Sequence, residues 1–154
     1  MSRNHLMMET ITHGPWRITF DREATVWAHK AMAANFHRGC RCGPCKNFQH
    51  QKPVQYPKEL QALLARLGID PNCEIETFVF DHHDGKGLEY YGWFYFVGHV
   101  EGKGSIEIGK FHYSLSDGPA YAVKEFEGLP VSTVDFGNFW LPWSGGYSPS
   151  TPPG

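Results

Sequence analysis

The 154-residue chain has no apolar run that approaches the ~20 residues needed to cross a bilayer. Its first segment, Met1 to Thr12, also lacks the apolar core of a secretory signal. These absences lead us to expect a cytosolic protein with reduced thiols and no membrane partner. Basic clusters are missing too. The 14 lysines and arginines are spread along the chain, and the formal net charge is -2, so no surface for nucleic-acid phosphates is expected. There is no Gly-rich phosphate loop, no Gly-x-Ser-x-Gly elbow and no His-Glu-x-x-His helix. The chain therefore lacks these three catalytic signatures, and we expect a binding or accessory domain acting on a protein or small-molecule partner.

Aromatic residues, by contrast, are abundant at 15%, and most fall in β-like runs. Trp16, Ile18 and Phe20 alternate with Arg17 and Thr19, which predicts a strand buried on one face, and Thr25 to His29 reads as its partner across a polar turn. Ile75 to Phe80, Tyr90 to Val100, Ser105 to Leu115, Ala120 to Phe126 and Val131 to Phe136 read as further strands. The turns between them are short and rich in Gly and Pro, so neighbours must run antiparallel. One helix is predicted over Pro57 to Leu67. Pro57 suits a first helical position, Leu60, Leu63, Leu64 and Leu67 form one stripe, and Gly68 can end it in the left-handed conformation. The expected fold is α+β: a sandwich-like antiparallel sheet, one main helix and an irregular cysteine-containing loop. Residues 1-143 would form one globular domain, with 144-154, almost all Ser, Pro and Gly, as a flexible tail.

Cysteine is scarce, but three of the four fall within Cys40-Arg41-Cys42-Gly43-Pro44-Cys45. From Ala33 to Gln55 no periodicity holds, and this segment reads as a loop with one helical turn at Lys46 to His50. Three readings of the cluster stand side by side. Cys42 and Cys45 can grip zinc from a tight turn, with Cys40 as third ligand and Cys73, His37 or His50 as the fourth. They can exchange disulfides, with Cys42 as nucleophile and Cys45 as resolving thiol. Or all can be small apolar fillers. Asp81-His82-His83-Asp84 is a weaker constellation: its side chains suit a metal, but neighbours on a strand point to opposite faces. Trp27, Trp93, Trp140 and Trp143 can line a pocket, although strand aromatics usually belong to a core.

Cys42-Gly43-Pro44-Cys45-Lys46 resembles the thioredoxin active-site string, which implies a reactive thiolate at a helix N-terminus. The likeness covers five residues, and the preceding Asn35 to Arg41 is polar and basic where thioredoxins have a buried apolar strand. A longer succession is Cys-x-Cys-x-x-Cys-x-Asn-Phe (Cys40 to Phe48), Tyr56-Pro57, Leu67-Gly68-Ile69-Asp70 and Tyr91 to Gly98. It resembles a group of small uncharacterised bacterial proteins over residues 16 to 143. That resemblance implies a one-domain bacterial protein in which Cys40, Cys42, Cys45 and Asn47 matter together.

Overall fold

A computed structural model describes residues 7–35, 42–82 and 87–143. The tail 144-154 lies outside the described residues, as do Cys40, His37, His83 and Asp84. Seven strands, β1 (Glu9–His13), β2 (Trp16–Phe20), β3 (Glu76–Asp81), β4 (Leu88–Glu101), β5 (Ile106–Ile108), β6 (Phe111–Asp117) and β7 (Val131–Leu141), form one antiparallel sheet. Its order is β1-β2-β4-β7-β6-β5, and β3 also pairs with β4. β4 organises the sheet. Along one edge it pairs with β3 over Leu88 to Trp93 and with β2 over Gly98 to Glu101, while β7 follows the other edge from Leu88 to Val97.

The fold is α+β, as expected, but the strands join into one sheet rather than a sandwich, and the described residues form three α-helices instead of one: α1 (Arg22–Asn35), α2 (Gly43–Gln55) and α3 (Lys58–Leu67). α3 matches the sequence reading. Its four leucines are buried, worth about 2 kcal/mol each. Gly68 closes it at φ +85°, where a Cβ would also lie 2.7 Å from the Arg22 carbonyl.

The expected strand Thr25 to His29 is instead part of α1. Asp21 starts this helix by accepting the Ala24 N–H at 2.9 Å. Its buried side consists of Ala24, Thr25, Ala28, His29 and Met32, a helical stripe of mostly small or polar residues that β-propensity at Thr25, Val26 and Trp27 obscures. Ala120 to Phe126 is likewise not a strand but a bend ending in a 3-10 turn at Lys124–Phe126. The helical turn expected at Lys46 to His50 extends to all of α2.

Residues of β4 alternate between two cores. Tyr90, Phe94 and Phe96 pack in one with Leu60, Leu63, Leu64 and Leu67 of α3 and with Phe48 of α2. Tyr95 and Val97 face the other way, into a smaller core with Ala24, Ala28 and Met32 of α1 and with Phe126. α1 and the 3-10 turn thus cover the second face of β4 at Tyr95 and Val97, and Trp93 packs half-buried at the edge of that core. Farther along the same face, beside Glu89 and Tyr91, the neighbouring strands present exposed Phe78, Phe80 and Trp140.

Candidate functional site

Cys42 is the N-cap residue of α2, with extended backbone, and Cys45 lies in the first turn; both are half-buried and neither is in a disulfide. What holds this turn in place is polar. The Tyr90 hydroxyl donates to the Pro44 carbonyl at 2.5 Å, while Asn47 and Gln51 donate to the Pro142 carbonyl at 3.1 and 2.6 Å. Burial pushes the Tyr90 hydroxyl pKa well up, against the hydrogen bond with Asn47, and negative charge at Cys45 and Cys42 would act in the same direction as burial. Farther along α2, the fully buried Lys52 ammonium lies 2.5 Å from Glu74, whose other oxygen accepts from the Tyr56 hydroxyl at 2.9 Å. α2 is thereby fixed to β4, to the end of β7 and to the segment after α3.

Of the other proposed ligands, Cys73 belongs to a different core. Cys73 is buried in the α1 core, its Sγ 3.8 Å from the His29 carbonyl and 3.6 Å from Asp70 Oδ2. Burial, followed by the charge of Asp70, pushes its thiol up to about 12. His50 is exposed on α2. Among the described residues, no three His, Cys, Asp or Glu side chains gather as a metal site, and Cys40 and His37 lie outside those residues. His29 also approaches Asp70, but the imidazole contacts the Tyr95 carbonyl and the Asp70 N–H rather than the Cys73 thiol. These three do not form a nucleophilic triad.

The sequence reading placed strand aromatics in the core, and on the open face this fails. Strand register sets out three rows. Phe80, Glu89 and Trp140 lie side by side on β3, β4 and β7; next come Phe78 and Tyr91; then Glu76, Trp93, Asp135 and Ser114 across β3, β4, β7 and β6. Phe78, Phe80 and Trp140 are 48%, 54% and 40% exposed. The rings touch each other: Phe78 lies 5.7 Å from Trp93, Phe80 is edge-on to Tyr91 at 5.4 Å, and Tyr121 is edge-on to Trp93 at 6.1 Å. Gly137 makes room for this arrangement. A Cβ there would stand 2.6 Å from the Tyr91 ring and 2.7 Å from His112.

Carboxylates are set between the rings. Glu89 accepts from Tyr91 and pairs with His82 at 2.8 Å, and His82 stacks on Trp140 at 4.9 Å. Burial raises the Glu89 pKa, but the hydrogen bonds from Tyr91 and His82, with the charges of His82 and His112, outweigh it and hold the pKa below the ordinary value. Of the Asp81 to Asp84 constellation, then, His82 belongs to this face. Asn138, at φ +52°, lies at the β7 irregularity with its side-chain oxygen 2.7 Å from the Tyr91 hydroxyl. A cleft of about 250 Å3 opens beside Trp93, lined also by Ser116, Asp117, Thr133 and Asp135. An apolar cavity of about 500 Å3 adjoins it beneath the bend at Pro119 to Leu129, between Tyr95, Tyr121 and Phe126. The one sequence signal for this face is charge, since β3, β4, β6 and β7 contain no lysine or arginine.

No helix among the described residues is long and apolar enough to cross a membrane. No family model matches the chain, and neither a curated protein nor a solved structure is detectably similar to it.

Proposed function

We propose that the chain is a cytosolic binding module whose working surface is the open half of the sheet. One observation carries this reading: exposed aromatics form a contiguous patch interleaved with carboxylates, where a face without a partner would carry scattered polar side chains. Mapping amide shifts on labelled protein against a chemically mixed fragment set tests it. Responses should gather on β3, β4 and β7 around Trp93; responses that gather elsewhere, or none at all, reject the proposal.

The cysteine turn has a supporting role in this reading, as a structural zinc-type site. Cys42 and Cys45, half-buried one turn apart at the start of α2, suit a two-thiolate grip, and Cys40 is two residues away in the chain. Metal analysis of protein purified without added zinc should find close to one equivalent, lost in Cys42→Ser. Substoichiometric metal, together with stability unaffected by a chelator, would sink the assignment. Thiol-disulfide exchange is the second reading, favoured by the N-cap position of Cys42, where helix N–H groups support a thiolate. In that case Cys42 alkylates much faster than an ordinary thiol at neutral pH, and Cys42→Ser abolishes reduction of a disulfide substrate.

A further inference from the structure

We infer that the cleft beside Trp93 is a recognition site for a small organic ammonium ion, such as a quaternary or alkylated amine. The inference rests on the binding reading above and assigns its ligand class. Three features of the row through Trp93 converge on it.

First, an indole lines the cleft. Trp93 is the aromatic side chain in its lining among the described residues, and Phe78 at 5.7 Å and Tyr121 at 6.1 Å, which lie outside the lining, brace that ring. An indole face attracts cations, because it carries the negative end of the aromatic quadrupole. Secondly, carboxylates stand beside the rings, with histidines rather than lysine or arginine as the basic side chains near them, His82 at Glu89 and His112 at Asp135. Trp93 pairs across the sheet with Glu76 on one side and Asp135 on the other, and Glu76 is bonded to the Tyr121 hydroxyl at 3.1 Å. The four strands of this face supply no lysine or arginine to neutralise these carboxylates.

Thirdly, the charge is sequestered. Asp135 lines the cleft and accepts a hydrogen bond from the Ser114 hydroxyl at 2.8 Å. Burial pushes its carboxyl up, against weaker opposing effects of Ser114 and His112. A cation in the cleft would face this carboxylate and the indole together. A metal ion is a poorer candidate, because rings offer it no lone pairs and Asp135 and Asp117 are the only carboxylates lining the cleft. At about 250 Å3 the cleft is below the usual range for drug-sized ligands, which fits a small headgroup.

Choline and its uncharged isostere 3,3-dimethylbutan-1-ol provide the test. Each is titrated into labelled full-length protein while the Trp93 indole N–H is followed, assigned by its loss in Trp93→Phe. Choline should shift that resonance saturably, with the isostere about tenfold weaker or more. Asp135→Asn, which keeps the size and a Ser114 partner, should weaken choline several-fold with an unchanged melting temperature. Phe78→Ala, which removes a ring bracing the Trp93 indole, should weaken it as well. Equal affinity for choline and the isostere, or an Asp135→Asn variant that binds choline as well as wild type, overturns the ammonium assignment. Methyl glucoside and acetate, titrated in parallel, separate the two levels of failure. If one of these shifts the Trp93 face while choline is silent, the ligand class is wrong and the binding surface stands; silence from every probe rejects both.

Discussion

Replacing Lys52 by Met tests how α2, and the cysteine turn with it, is held. The Lys52 ammonium is fully buried and 2.5 Å from Glu74, so its loss leaves a buried carboxylate held by the neutral Tyr56 hydroxyl without its cation. Leaving one member of a buried pair uncompensated costs about 3–5 kcal/mol, a large part of the roughly 5–15 kcal/mol that stabilises a domain. At ~2–4 °C per kcal/mol for a chain of this size, the melting temperature should fall by about 6–20 °C. Glu74 has one means of relief, which is to take up a proton. Burial already raises its pKa, and Lys52 is the main opposing influence, so without Lys52 the pKa rises further. A carboxyl with a raised folded-state pKa binds more protons folded than unfolded, so its contribution to stability falls as pH rises from its unfolded value through its folded value. The deficit of Lys52→Met relative to wild type should therefore be largest near neutral pH and shrink toward about pH 5. Lys52→Met/Glu74→Gln removes the charge but keeps an acceptor for Tyr56, and should recover most of the loss. Urea unfolding of the three proteins from pH 5 to 8 measures all of this. A single variant within about 1 kcal/mol of wild type, or a deficit independent of pH, would refute the argument.

Two further expectations follow from the same contacts. Cys73, buried with its thiol pushed up to about 12, should be the last of the described cysteines to alkylate in peptide mapping. Cys73→Ala should cost about 1–2 kcal/mol in packing without changing metal content, whereas loss of metal would restore Cys73 as a ligand. On the open face, Tyr91→Phe removes the strongest influence lowering the Glu89 pKa, so the carboxyl titration followed by NMR should move upward. A carboxyl with a lowered folded-state pKa adds stability above its unfolded value and loses it as pH falls through the folded one. The cost of Tyr91→Phe should accordingly fade below the ordinary value of 4.5, and an unmoved titration would contradict the hydrogen bond.

The sequence by itself determined the elements whose signal lies within a single segment. The leucine stripe of α3 with Gly68 after it, and the alternating or aromatic runs of β2, β3, β4 and β7, owe their conformation to burying one side, and that side is written locally. α1 and α2 were not legible in this way. Apart from Met32, the buried side of α1 consists of Ala24, Thr25, Ala28 and His29, too small or too polar to stand out, and beside Phe48 that of α2 relies on Asn47, Gln51 and Lys52. Those polar groups are tolerable in the interior only because Pro142 and Glu74, distant in the chain, arrive to satisfy them. The same division runs through the candidate sites. Clustering of the cysteines is visible in the sequence, but the burial of Cys73 against His29 and Asp70 depends on where α1 packs. Strand alternation puts Glu89, Tyr91, Trp93 and Tyr95 on one face of β4, and nothing local distinguishes Trp93 from Tyr95. Only the tertiary structure makes the difference: α1 and the 3-10 turn bury Tyr95 fully and reach Trp93 only at the edge of their core, so one aromatic becomes core and the other, half-buried, also walls a cleft.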